Sequence, residues 1–218
     1  MQVCLASTSP ARLMLLRQAG IEPLTLAPEV DEEAVIAQVE AGEGRRLDAD
    51  EHVLLLARRK AEDVAARVAA DGFDGTVFDG IVIGGDSMFE IDGEILGKPY
   101  APEAATRRWR QMRGRTGTLH SGHSVIRVGG GVAPAEAHAV AAASVSFAAD
   151  VTDAEIEAYV ASGEPLHVAG AFTIDSLGGP FIERVEGDPS TVVGMSLSTV
   201  RRLAGELDVV WTDLWNRT

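Results

Sequence analysis

The stretch GGDSMFEIDGEILGKP, residues 84–99, constrains the fold more than any other part of the chain. Asp92-Gly93 stands between two apolar-rich arms, a strong short-range signal for a two-residue hairpin whose central residues take positive φ. Ile91 then pairs with Glu94, and a continued ladder places Ser87 opposite Lys98. The β-branched run Ile81-Val82-Ile83 feeds into this hairpin and predicts a strand that ends at Gly84-Gly85. Asp86 thus falls at a strand end beside glycines, near Lys98. An ideal ladder sets those two side chains on different faces, so a bend at Gly85 or Gly97 is needed to join them. A carboxylate so placed suits a metal ligand or a general base, and the lysine suits phosphate. A plain surface ion pair is the alternative reading.

The N-terminal LASTSPAR raises a similar choice. Val3 to Leu5 read as a buried strand, and Leu13, Leu16 and Ala19 recur at helical spacing. Ser9 is a good N-cap, Pro10 suits the first helical position, and Gly20 is placed to stop the helix. The first turn offers backbone N–H groups, nearby hydroxyls including Ser7, and Arg12. It is either an ordinary capped helix or a phosphate site.

Between these stretches a strand is expected over 22–30, leading into Asp31-Glu32-Glu33, then a surface loop over 41–50. A strong helix over 54–70 carries Lys60, which shares a face with Leu56 and Val64. A lysine on an inward stripe either snorkels or is aimed at a site. Asp31 and Glu32 could ligate a hard divalent cation with Asp86, or form a solvated acidic turn.

Farther along, 103–112 reads as a helix with Ala105, Trp109 and Met112 inward and its arginines solvated. Strands over 120–128 and 137–147 are joined by Gly129-Gly130-Gly131. A helix over 153–162 opens with a capping box of Thr152 and Glu155. Strand-like segments surround Phe172 and Phe181, and a last helix runs near 199–207. Helices and strands alternate irregularly and include a hairpin, which favours a mixed α/β sheet over a doubly wound one.

The chain has 218 residues and a formal net charge of −14, enough length for a large domain or two lobes. That charge argues against nucleic-acid or anionic-membrane partners, and a small anionic ligand needs a local basic pocket. The single Cys4 excludes an internal disulfide and reads as a core residue. No basic n-region with an apolar stretch and no run of membrane-spanning length is visible, so a cytoplasmic protein is expected. His120 and His123 form HxxH, but that spacing on a strand puts them on opposite faces, a poor arrangement for a shared metal. There is no Walker A pattern.

Taken in order, LASTSPAR (5–12), PEVDE (28–32), LARRKA (56–61), GGDS (84–87), DGEILGKP (92–99), EIEAYVASGEPLHVAGAF (155–172) and GGPFIERVEGDPSTVVGMSL (178–197) resemble the Maf-like proteins. That family comprises nucleoside triphosphate pyrophosphatases once named for septum formation. The resemblance implies one domain over 1–218, an elongated mixed β-sheet flanked by helices, with two lobes and a nucleotide-binding cleft. It implies hydrolysis of a nucleoside triphosphate to monophosphate and pyrophosphate, assisted by Mg²⁺ or Mn²⁺. By position, Asp86 is the base for the attacking water and Glu32 joins it in holding the metal. Ser7, Arg12, Glu32, Lys60 and Lys98 contact the substrate.

Three positions the family uses for base selectivity depart from its dTTP/UTP-directed branch. Ala11 stands where many members have arginine, Ser87 where threonine is frequent, and Asp175 where that branch has glutamine. A carboxylate can accept hydrogen bonds from guanine N1–H and N2–H₂, so a purine-leaning substrate follows, with 7-methylguanosine triphosphate as the alternative. A phosphomonoesterase and a nucleotide-sensing division regulator with little turnover are rival readings, and a homodimer is left open.

Overall fold

The computed structural model describes residues 1–129, 131 and 134–217. β1 (Gln2–Ala6) leads into α1 (Pro10–Gln18), followed by β2 (Leu24–Thr25), α2 (Glu32–Glu43) and α3 (Ala49–Asp71). Then come β3 (Gly80–Ile91), β4 (Glu94–Leu96), α4 (Pro102–Met112), β5 (Thr116–Val128) and β6 (Ala135–Phe147). α5 (Asp153–Ala161), β7 (Ile182–Glu186), α6 (Pro189–Val193) and α7 (Leu197–Glu206) complete the order. Among the described residues the strands form one seven-stranded sheet, ordered β2-β1-β3-β5-β6-β7 with β4 paired to β3. β1 runs parallel to β2 and β3, whereas the β3–β4 and β6–β7 pairs are antiparallel. The sheet is therefore mixed, as the irregular alternation of elements requires.

Two compact units divide the chain: Met1–Asp86 with Ser121–Ala141 and the segment from Gly194 onward, and Ser87–His120 with Ala142–Val193. In the first unit, β1 and the start of β3 are buried almost completely, which explains their near-continuous apolar runs. α3 buries Val53, Leu56, Ala57, Ala61, Val64 and Val68 at helical spacing, with Lys60 on the same stripe. Its start is fixed by a capping box between Asp48 and Glu51. Two glycines let it close on the sheet. A Cβ on Gly84 would stand 2.3 Å from the Ala57 carbonyl oxygen, and one on Gly122 2.2 Å from that of Val53.

The second unit has its own core, centred on Trp109 and Phe147. Trp109 makes edge contacts with Phe147, Tyr159 and Phe181, and its Nε1 donates to the Ala171 carbonyl at 2.7 Å. The expected hairpin is present, with Asp92 at φ 56° and Gly93 at φ 78°. α4 buries Ala105, Trp109 and Met112, as its spacing predicts, and Thr152 and Glu155 form the expected capping box of α5.

Several expectations need correction. The strand expected to end at Gly84-Gly85 runs unbroken to Ile91, so Asp86 lies within β3 rather than at a strand end. The ladder of the hairpin stops at Phe89–Leu96 and never pairs Ser87 with Lys98. Arg108 Nη1 takes the Gly97 carbonyl at 2.5 Å, and Pro99 has no N–H to extend a ladder. The strand expected over 22–30 is only Leu24–Thr25, confined between Pro23 and Pro28. The expected loop over 41–50 is shorter than expected: α2 runs to Glu43, Gly44 caps it at φ 68°, and α3 starts at Ala49. Phe172 follows a 3₁₀ turn rather than lying in a strand, and Phe181 immediately precedes β7. Of the Gly129-Gly130-Gly131 loop, Gly130 lies outside the described residues.

Candidate active site

The turn from β1 into α1 places the first group of site residues. Ser9 caps α1, its Oγ accepting from the Arg12 backbone N–H at 3.5 Å, and Pro10 follows at the first helical position. Ser7 is buried, and its Oγ accepts from the Ser9 N–H at 3.1 Å and from Arg12 Nη1 at 3.3 Å. Arg12 Nε donates to the Gly194 carbonyl at 2.8 Å. The guanidinium is thereby held at two points beside the positive end of a helix dipole. Burial draws it below its ordinary pKa, against the carboxylates of Asp86 and Glu32, which favour its charge. It remains a cation at any working pH.

α3 supplies the second group. Lys60 is 7% exposed, and its ammonium is 2.7 Å from Asp86 Oδ1 and 2.9 Å from Glu32 Oε1. The inward lysine ends on two carboxylates rather than in solvent. Asp86 reaches it because β3 ends its buried run at Gly85, directly after the close approach of α3 at Gly84. Glu32 reaches it as the first residue of α2, whose N-cap is Asp31, with its carboxylate accepting the Ala34 N–H at 3.0 Å. Asp31 thus starts the helix that presents Glu32.

Two carboxylates meeting one ammonium form a hard oxygen donor set. Mg²⁺ and Mn²⁺ bind through one or two carboxylates and leave other positions to phosphate oxygens and water, so Asp86 and Glu32 fit such an ion. Among the described residues no group of three or more candidate metal ligands occurs.

Behind Arg12 lies a layer that sequence reasoning missed. Ser121 Oγ bridges the backbone carbonyls of Asp86, at 3.3 Å, and Gly194, at 3.4 Å. His123, fully buried, accepts the Ser196 N–H on Nε2 at 2.8 Å. Ser121 and His123 are two apart on β5 and share a face, a period-2 pair of polar residues on a strand whose core-facing positions are otherwise buried. Gly194 contributes a carbonyl, which no residue type advertises. His120 goes elsewhere, its Nε2 lying 3.3 Å from Glu90 in the second unit.

The remaining candidates are placed as follows. Ala11 is half-buried in the first turn of α1, and Ser87 is half-buried on β3 immediately after Asp86. Lys98 belongs to the second unit, is exposed, and has no ion pair among the described residues. Asp175, also in the second unit, is exposed on the turn over 173–178. That turn is clamped by one carboxylate, Glu164, another residue missed from sequence. Its Oε1 accepts from Tyr159 Oη (2.9 Å), Thr173 Oγ1 (2.5 Å) and the Gly178 N–H (3.2 Å). Its Oε2 accepts from Ser176 Oγ (2.7 Å) and the Leu177 N–H (3.2 Å). Burial alone would raise this carboxyl, but the hydrogen bonds outweigh it and hold it below its ordinary value. Cys4 is a core residue as expected, its thiol pushed up by burial to about 11 and so inert as a nucleophile.

Comparison with known proteins bears on this arrangement. A protein of Leifsonia xyli subsp. xyli called nucleoside triphosphate pyrophosphatase is 62% identical over 217 residues, covering 100% of this chain and 98% of its own length. Proteins of the same name from Rhodococcus jostii and Corynebacterium efficiens are 50% and 45% identical, covering 97% and 100% of this chain and 94% and 100% of their own lengths. Among solved structures, the Staphylococcus aureus Ham1 protein superposes with a TM-score of 0.32 at 12% identity, over 68% of this chain and 73% of that one, too loosely to carry weight. The family described as Maf-like protein matches residues 2–207, and this chain belongs to the Maf-like family.

Proposed function

We propose that this chain is a nucleoside triphosphate pyrophosphatase that cleaves the α–β phosphoanhydride to give a nucleoside monophosphate and pyrophosphate. The observation that carries the reading is the meeting of Asp86 and Glu32 on the Lys60 ammonium, at 2.7 and 2.9 Å, in the unit that also holds Ser7 and Arg12. It supplies a partly buried base, cations for phosphate oxygens and carboxylates for a divalent ion in one place. The names of the full-length relatives support the same class.

Asp86 accepts the proton of the attacking water through Oδ2, since Oδ1 is engaged by Lys60. The water oxygen bonds to the α-phosphorus, the bond to the bridging oxygen breaks, and pyrophosphate leaves with that electron pair. Arg12, steadied by Ser7 and Gly194, neutralises phosphate oxygens on which charge builds, as do Lys60 and Lys98. Asp86 and Glu32 would hold Mg²⁺ or Mn²⁺, which when bound neutralises phosphate charge and stabilises it in the transition state. The base is read by Asp175, with Ala11 and Ser87, and the carboxylate favours a guanine over a pyrimidine. 7-Methylguanosine triphosphate is the limiting case of that preference.

Product analysis with Asp86→Asn tests the reading. The wild type should release pyrophosphate and monophosphate in equal amounts, and the variant should lose about 10²–10⁴-fold in kcat while still binding the nucleotide. Release of orthophosphate instead would make the protein a phosphomonoesterase. Asp175→Gln should move the relative rates on GTP, 7-methyl-GTP and UTP toward UTP, and unchanged ratios would remove Asp175 from base recognition.

A further inference from the structure

Gly194, in the segment Gly194–Ser196, lies 182 positions from Arg12 in sequence, yet its carbonyl receives Arg12 Nε at 2.8 Å. Something must hold that carbonyl still, because a guanidinium on a mobile acceptor is not oriented. On one side Ser196 is the N-cap of α7, its Oγ accepting from the Thr199 N–H at 3.2 Å. On the other, the Ser196 N–H donates to His123 Nε2 at 2.8 Å. His123 is fully buried on β5, a strand position where a rigid ring has little freedom. In the neutral imidazole, accepting at Nε2 places the ring proton on Nδ1.

We propose that His123 is a positioning residue for Arg12. It fixes the Gly194–Ser196 segment through Nε2, the segment fixes the guanidinium through the Gly194 carbonyl, and the guanidinium is thereby preset for a polyphosphate. His123 touches no reacting atom. Its contribution is orientation, so its loss weakens capture of the anion more than it slows the bond-breaking step. The residue types agree with this division. An arginine bonded at Nε to a carbonyl and at Nη1 to Ser7 has its plane defined, and a planar guanidinium suits phosphate oxygens. The proposal rests on the reading of Arg12 as a phosphate-holding residue, but not on the identity of the base.

The test uses the full chain and two probes: a nucleoside triphosphate with a non-hydrolysable α–β bridge, and inorganic tripolyphosphate, each titrated calorimetrically with Mg²⁺. His123→Leu removes the acceptor. His123→Asn keeps a polar side chain, but its amide reaches only the Nδ1 position. His123→Gln can set its amide oxygen where Nε2 was. Leu and Asn variants that fold, judged by thermal melting, should bind both probes about tenfold more weakly, a loss typical of a misaligned charge-assisted bond. In turnover the loss should fall on KM rather than kcat. The Gln variant should recover to within about threefold of wild type. In an Arg12→Ala background, His123→Asn should cause less than about a twofold further loss, because the two residues act in series.

Full-strength loss in the Arg12→Ala background, a loss confined to kcat, or no rescue by Gln overturns the proposal. Wild-type protein that binds tripolyphosphate but releases no pyrophosphate from any nucleotide overturns the proposed function alone. Wild-type protein that binds neither probe overturns both.

Discussion

At Lys60 a single ammonium, 7% exposed, neutralises two carboxylates that would otherwise repel each other across a partly buried space. Asp86 is well covered and Glu32 half exposed, so the lysine matters more to Asp86. It also occupies one oxygen of each carboxylate that would hold a divalent ion. Lys60→Met keeps the apolar stem between Leu56 and Val64 and deletes the charge. In calorimetric titrations without nucleotide, the variant should bind Mg²⁺ at least about tenfold more tightly than wild type, because no ammonium competes for the two carboxylates. Its affinity for triphosphate should fall at the same time. Equal Mg²⁺ affinity in the two proteins would mean that these carboxylates are not the donors. Lys60 was legible in the sequence because a charge on an apolar helical stripe is conspicuous. Gly194 was not, since its role is played by a backbone carbonyl common to all residues. Nor was His123, whose partner is another backbone group 73 positions away.

At the scale of elements, α3 brings Lys60 to Asp86 only because glycines at 84 and 122 leave room for its backbone. Gly84→Ala would set a methyl 2.3 Å from the Ala57 carbonyl oxygen and 2.8 Å from Ala61, so the helix must lift. A loss of about 2–4 kcal/mol in denaturant titration is expected, together with a fall in turnover as Lys60 is carried off its partners. Gly42→Ala is the contrasting case. It lies within α2 with nothing within 4 Å of the new methyl, and should stabilise by about 0.5–1 kcal/mol. If both variants lower stability equally, close packing of α3 is not what Gly84 provides. The same contrast explains what the sequence conveyed. α3 and α4 bury clear stripes and were legible, whereas α2 has no buried residue and carries little periodic signal. Yet α2 positions Glu32 against Lys60, where the sequence showed an acid after an expected strand and not the start of a helix. The hairpin turn was readable from Asp92-Gly93, but its early end was not, because the Arg108 bond to Gly97 comes from a separate helix.

Over the whole molecule, each unit has its own apolar core, and acid should reach them unequally. The net charge is −14 at neutral pH, so protonating exposed carboxylates relieves self-repulsion and by itself favours the folded chain. A carboxylate held by hydrogen bonds works in the opposite sense. Glu164 accepts five of them and is held below its ordinary 4.5, so the folded state keeps it ionised to lower pH than the unfolded chain does. Its stabilisation is therefore complete above the unfolded value and drains away as pH falls through the lowered folded one. The turn over 173–178 should loosen first, and Trp109 is placed to report it, being fully buried and bonded to the Ala171 carbonyl of the segment that joins Glu164 to that turn. In a Trp211→Phe, Trp215→Phe background only Trp109 emits, and its spectrum should shift to the red below about pH 4, before the helical circular dichroism is lost. Glu164→Gln removes the ionisable group while leaving one oxygen to accept. That variant should lose about 1–3 kcal/mol at pH 7 and show no early red shift on acidification. A Gln variant that titrates like its parent would move the acid response away from Glu164, and with it the claim that one carboxylate holds the turn that carries Asp175.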